Sequence, residues 1–360
     1  MASPRSAAIA TAARPRVVCN ALALRPGGGG VNTYVREILR GLRASTDLDL
    51  VAVVQSDAVG SLPAGVTARE HPPSAGVRRA LAGLRPVGHA DLVHGLDVDV
   101  PLRPGAPTVI TVQDLSVYDI PWAFPRRRAL GEQLLVRRAV HLADEILAPS
   151  AFTAERIEAR FGRTATITEL AAADHCRPAD AAAIERVRRR YQLPPTCVLY
   201  LGAVEPRKNL GQLADVCRAI GVPLVLGGPV LAPQARPAGV THLGYVDGAD
   251  LPALYGAVTV VAYPSRYEGF GLPPIEAMAS GAAVVATAVG ALPDVAAGGA
   301  ELVAPGDADA LRSAITALIR DPERRTELAR AAVEVAGRLS WDRTAAATIA
   351  AYERLGVRAA

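Results

Sequence analysis

Short apolar runs bounded by Gly, Pro and polar clusters alternate along this chain with longer stretches whose apolar residues recur at helical spacing. Val17–Leu24 is the first β-type run, and Pro26 and four glycines separate it from VNTYVREILRGL. There, Val31, Tyr34, Val35, Ile38, Leu39 and Leu42 fall on one helical face. Strands follow at Leu48–Val54, Asp91–His94, Thr108–Val112, Glu145–Ala148 and Ala165–Leu170, with helices over Pro125–Leu142 and Ala151–Phe161. Arg69 to Pro86 reads as irregular, helical only by turns, and Ala171 to Pro178 breaks the pattern as a linker.

A second series begins beyond the linker. It runs through helix Ala181–Tyr191, strand Cys197–Leu201, helix Leu210–Ile220, strands Leu224–Leu226 and Val240–Leu243, and helix Leu251–Tyr255. Strands Val258–Tyr263, Ala283–Ala286 and Glu301–Val303 follow, and three helical runs close the chain, the last near Asp342–Leu355 behind Ser340 as N-cap. Such alternation implies parallel sheets, so the pattern predicts an α/β chain of two Rossmann-like, doubly wound domains facing across a cleft. The expected bounds are a disordered lead-in over 1–15, a first Rossmann-like domain over 16–175 and a second over 176–340. Residues 341–360 are expected to pack back on the first domain as a closing helix.

Composition changes this picture little. Half the residues are hydrophobic, enough for two large cores, and the net charge of +4 comes almost wholly from arginine, since Lys208 is the only lysine. Aromatic platforms among the basic residues are missing, so nucleic acid is not an expected partner. Cys19, Cys176, Cys197 and Cys217 show neither close pairing nor metal-ligand spacing, and no apolar run reaches the ~20 residues of a membrane span. A soluble cytoplasmic protein is the expectation. The basic helix with Arg126, Arg127, Arg128, Arg137 and Arg138 could touch anionic lipid; a solvated face is favoured, because the helix lacks large aromatic anchors.

The chemistry concentrates in RYEGFGLPPIEAMASG, Arg266 to Gly281, behind the strand Val258–Tyr263. Gly269, Gly271 and the Pro273–Pro274 pair punctuate a turn that leads into a helix ended by Gly281. A strand, a Gly-rich turn and a helix N-terminus form a concave anion site, because free N–H groups and the helix dipole converge there. Glu268 and Glu276 flank it, and carboxylates partner hydroxyls rather than phosphate. A ligand with hydroxyls at both ends and an anionic middle fits, and a nucleotide-diphosphate sugar has that layout. After strand Cys197–Leu201 comes GAVEPRKN, in which Arg207 and Lys208 beside a helix N-terminus could neutralise the diphosphate. Gly29 and Gly30 close a similar turn in the first domain, where a phosphate-facing loop and a plain tight turn are equal readings.

GAVEPRKNL, GYVDGADLPALY, PSRYEGFGLPPIEAMASGAAVVAT and Leu339-Ser340-Trp341 together resemble glycosyltransferase family 4, over nearly the whole chain and most specifically over 200–290. The resemblance implies the GT-B fold and retaining, metal-independent hexosyl transfer, with mannose, rhamnose or glucose types of donor and a glycan, lipid-linked or small-molecule hydroxyl as acceptor. No cofactor is implied. Residue by residue, it gives Arg207 and Lys208 the leaving diphosphate, with Gly202 beside them. Glu268, helped by the N–H groups of Gly269, Phe270, Gly271 and Leu272, takes sugar hydroxyls, and Glu276 takes ribose hydroxyls. Tyr245 and Val246 line the nucleobase pocket, and Gly29 and Gly30 approach the phosphates or acceptor.

Two positions stand out in the first domain. Members commonly read His-Asp-Leu where this chain has Gln113-Asp114-Leu115, and glutamine cannot take a proton at neutral pH. That difference keeps open a catalytically silent nucleotide-sugar-binding subunit. His94, at the end of a predicted strand, is either a second cleft residue or a structural histidine. Asp97 and Asp99 resemble the metal-binding Asp-x-Asp of another sugar-transferase fold, but that fold is a single domain without the paired-glutamate loop, so no metal is assigned.

Overall fold

A computed structural model describes residues 14–358, so most of the expected lead-in lies outside the described residues. In the first half, β1 (Arg16–Asn20), β2 (Asp49–Gln55), β3 (Thr67–His71), β4 (Leu92–Gly95), β5 (Thr108–Thr111), β6 (Glu145–Ala148) and β7 (Thr166–Ile167) form one parallel sheet. Its order is β3-β2-β1-β4-β5-β6-β7. In the second half, β8 (Val198–Leu201), β9 (Leu224–Gly227), β10 (Thr241–His242), β11 (Val260–Tyr263), β12 (Val284–Thr287) and β13 (Glu301–Val303) form another. That sheet runs β10-β9-β8-β11-β12-β13. Central strands such as VLYL and VVAY are fully buried, as strands covered by helices on both faces must be.

Each sheet reverses its winding once, between β1 and β4 and between β8 and β11. At such a point neighbouring loops diverge and leave a crevice beyond the C-terminal strand ends. The loops after β1, β5 and β6 meet those after β10 and β11 across that crevice.

Edge strand β3 differs from the irregular stretch expected near Arg69. Its sequence TAREH is exposed or half-exposed throughout, so it carries no apolar alternation to read. The four cysteines are buried and free.

The chain crosses between halves twice. After the helix Pro322–Ala336, residues 337–340 lead to the helix Trp341–Arg354, which packs on the first-half helix Gly30–Ser45. Gly41 makes the approach possible, since a Cβ there would lie 2.9 Å from that of Ala345. Trp341 donates to Ala172 O in the linker at 3.0 Å, and Arg354 forms a forked pair with Glu145.

Candidate active site

Glu268 is the centre of the crevice. It lies five residues beyond β11, buried, and its Oε1 accepts from Lys208 Nζ and Ser265 Oγ, each at 2.6 Å. Arg207 is 3.6 Å from its other oxygen and is held by Glu205 at 2.7 Å. Burial alone would raise the Glu268 carboxyl, but the Lys208 and Arg207 charges outweigh it and hold the group below the usual range. Burial and the Arg207 charge lower Lys208 against the pull of Glu268. For Arg207, burial opposes the charge and Glu268 with Glu205 more than restores it. The paired carboxylates therefore fix both cations in place before any ligand arrives.

The turn after Glu268 is tightly seated. A Cβ on Gly290 would fall 1.8 Å from Glu268 O, and one on Gly269 would fall 2.5 Å from Gln113 O, so both positions accept only glycine. Gly271, at φ +94°, caps the helix Leu272–Ala279. Phe270 and Leu272 are buried, and among the described residues the N–H groups of Phe270, Gly271 and Leu272 have no protein acceptor. They point the positive end of the helix at the crevice.

The first half clasps this turn. Gly269 O accepts from Ser150 Oγ at 2.5 Å and from Thr153 Oγ1 at 3.1 Å. Tyr267 accepts from Leu115 N at 3.3 Å and donates to Asp119 Oδ2 at 3.1 Å, while Arg156 forks onto the same carboxylate. Phe152 meets the Tyr267 ring edge-on, and Arg266 lies 5.3 Å over Trp122. None of these clasp residues was singled out from sequence. Their only signal is position, Tyr267 immediately before Glu268 and Ser150 just past β6.

The other expected residues divide. Gln113 reaches the crevice beside Gly269, donating to Leu96 O at 3.4 Å. Gly30 faces Leu272 across it, a Cβ there coming within 3.5 Å, while Gly29 precedes the helix Gly30–Ser45 with open space beside it. Tyr245 is 64 % exposed and lies against Gly27 of the first half, and Val246 is buried against Gly227. Gly202 follows β8, with its N–H on Gly227 O. Glu276 is buried against the first-half Thr33 hydroxyl and Arg36, and burial raises its carboxyl to about 7.

His94 does not reach the crevice. It sits within β4, fully buried, with Nδ1 on Tyr352 Oη at 2.7 Å and Nε2 on Thr111 Oγ1 at 2.9 Å. Burial drives its pKa down to about 3, so the ring is neutral and both nitrogens are committed. These contacts are those of a structural histidine: a residue inside a strand points into a layer, whereas a residue beyond the strand end points into the crevice. Asp99 is likewise engaged, paired with Arg79.

Comparison with known proteins agrees with this geometry. Residues 28–169 match the Glycosyltransferase Family 4 model and residues 184–335 the model for Glycosyl transferases group 1. The chain is 33 % identical to an O-antigen chain mannosyltransferase B of Escherichia coli over 268 residues, covering 69 % of this chain and 70 % of the relative. It is 30 % identical to a D-inositol 3-phosphate glycosyltransferase of Salinispora tropica, over 88 % of this chain and 79 % of the relative. A sucrose-phosphate synthase of Thermosynechococcus elongatus superposes with TM-score 0.76 at 23 % identity, covering 95 % of this chain and 99 % of that one. Anabaena HepE in complex with UDP and glucose superposes with TM-score 0.75 at 18 % identity, covering 95 % and 100 %. The chain is thus a GT-B glycosyltransferase and belongs to glycosyltransferase family 4.

Proposed function

We propose that this enzyme transfers a hexose, of mannose, rhamnose or glucose type, from a nucleotide-diphosphate sugar to an acceptor hydroxyl with retention of configuration and without a metal or cofactor. The observation that carries the reading is the buried Arg207–Lys208–Glu268 cluster beside free N–H groups. Preorganised cations aimed at a departing diphosphate lower the barrier because they need not reorganise as charge develops. The relatives' names, a mannosyltransferase and an inositol-phosphate glycosyltransferase, and the HepE complex with UDP and glucose support the same donor class.

In this reading Arg207 and Lys208 hold the diphosphate, and Glu268, kept ionised by them, accepts sugar hydroxyl hydrogens. Glu276 accepts from the ribose across the crevice, in place of Thr33. With an amide at Gln113 and His94 sealed in the sheet, neither residue can take the acceptor's proton. The proton passes instead to a diphosphate oxygen as the glycosidic C–O bond to that diphosphate breaks. The new C–O bond then forms on the face being vacated, which retains configuration.

The test is incubation of the pure enzyme with UDP-, GDP- and dTDP-hexoses and an alcohol acceptor, with nucleoside diphosphate release and the product's anomeric proton coupling followed by NMR. Retained configuration in the presence of a chelator is expected. An inverted product, or activity restored only by a divalent metal, would overturn the proposal.

A further inference from the structure

The outer face of the first half carries an unusual surface. The helix Arg126–Leu142 buries Ala129, Val136, Ala139 and Val140 against the sheet, yet its opposite side also presents leucines. Leu130 is 61 % and Leu134 69 % exposed, one turn apart, with exposed Arg126, Arg127 and Arg137 around them. Two further segments extend this face. The helix Gly76–Gly83 exposes Val77 (75 %) and Leu81 (59 %), and between the two helices Leu102 is 62 % exposed.

Hydrogen bonds tie the three segments together. Leu102 N donates to Leu84 O at the end of the shorter helix, and Arg138 donates to Val100 O at 2.7 Å and to Pro101 O. Trp122, 55 % exposed, precedes the longer helix, whose Gln133 is bonded to Val117 O. The acidic side chains nearby are already used, Glu132 by Arg128 and Asp99 by Arg79. Arg78, Arg103, Arg126, Arg127 and Arg137 face solvent. Scattered exposed leucines need no explanation, but leucines gathered across three bonded segments among arginines do.

We propose that this face docks on an anionic lipid bilayer. The sign of the charge selects the partner: unpaired guanidinium groups ring the leucines, and Trp122 supplies the amphipathic aromatic suited to a membrane interface, on a loop beside the helix rather than within it. A second copy of the chain would bring like charges together. Docking is peripheral, since no helix among the described residues is long and apolar enough to cross a membrane. One consequence rests on the function proposed above: because Trp122 also meets Arg266 at the crevice mouth, docking presents the acceptor side of the crevice to a hydroxyl anchored in that bilayer.

The full chain, without donor, is sedimented with phosphatidylcholine vesicles and with vesicles containing phosphatidylglycerol. At least about tenfold stronger partition into the anionic vesicles is expected, reduced by high salt. Leu102→Ser/Leu130→Ser/Leu134→Ser and, separately, Arg126→Ala/Arg127→Ala/Arg137→Ala should each lose about tenfold, with melting temperature and turnover on a soluble acceptor unchanged. Brominated lipid should quench Trp122 selectively, because the other tryptophan, Trp341, is buried. Equal binding to both vesicle types, or undiminished binding by the leucine variant, overturns the proposal. So does a concentration-dependent dimer abolished by that variant, which would make this face a self-interface. Because no donor is present, failure here leaves the transfer reaction standing, and an inactive enzyme that docks leaves this proposal standing.

Discussion

Strands β4 and β11 hold equivalent places in the two sheets, each next to the strand where the winding reverses, yet they serve different ends. From β11 the chain runs out to Glu268, whose carboxylate, two cations and a serine hydroxyl converge in the crevice. In β4 the corresponding polar residue, His94, stays in the sheet and spends both nitrogens on Tyr352 and Thr111. Past β11 the second half gathers two cations and a hydroxyl on one buried carboxylate, whereas past β4 the first half ties its buried Asp99 to Arg79 alone. The first half supplies an amide, a clasp for the loop opposite and an outer surface rich in arginine and leucine.

The sharpest way to break this contrast is Lys208→Ala, which strips a cation from the second-half cluster and leaves Glu268 buried with one partner fewer. Turnover should fall at least about 100-fold, as for loss of a preorganised charge-stabilising donor. A loss below about tenfold in single-turnover kinetics would remove Lys208 from the chemistry. Next is Tyr267→Phe, which cuts the clasp's bonds to Leu115 and Asp119 but leaves the ring. Charged hydrogen bonds are worth about 1.5–3 kcal/mol, so kcat should drop roughly tenfold or more while donor Kd stays within about twofold.

Donor affinity should also depend on pH through Glu276. Its carboxyl, raised to about 7 by burial, accepts ribose hydroxyl hydrogens best when ionised, so affinity should climb as pH rises towards 7 and level off above it. Binding should release a proton, measurable as a buffer-dependent calorimetric enthalpy, and Glu276→Gln should abolish both effects. A smaller effect is expected at His94. Its folded pKa of about 3 lies below the ordinary 6.5, so the unfolded chain binds the extra proton between those values. Stability should be full above about pH 6.5 and fall as pH drops towards 3, with His94→Gln flattening the melting profile and leaving turnover intact. Smallest of all, Gln113→His should keep activity within about threefold or raise it; abolished transfer would mean the amide itself is required.

What could be read from sequence follows the same division. In the second half, chemistry and local pattern coincide: strand, Gly-rich turn and helix start lie within one short stretch, so Glu268, Gly271 and Glu276 declare themselves. In the first half the decisive contacts join residues far apart. His94 looked ambiguous because the position of a strand's last residue relative to the sheet edge depends on the neighbouring strands. Its partner Tyr352 is 258 residues away. Tyr267, Asp119 and Arg156 form their cluster only when the halves meet. Edge strand β3 was invisible because its exposed positions carry no apolar alternation.

The second crossing of the chain has a consequence in time. Tyr352 caps His94, and Trp341–Arg354 covers the first helix, so the first half is completed by residues made after the whole second sheet. At roughly 5–20 residues per second, synthesis leaves His94 without that partner for about 13–50 s. During that interval the second half, whose sheet lies wholly within 198–303, can close on its own. The nascent chain should therefore close its second sheet before its first half is sealed, which waits until residues 341–354 have been made.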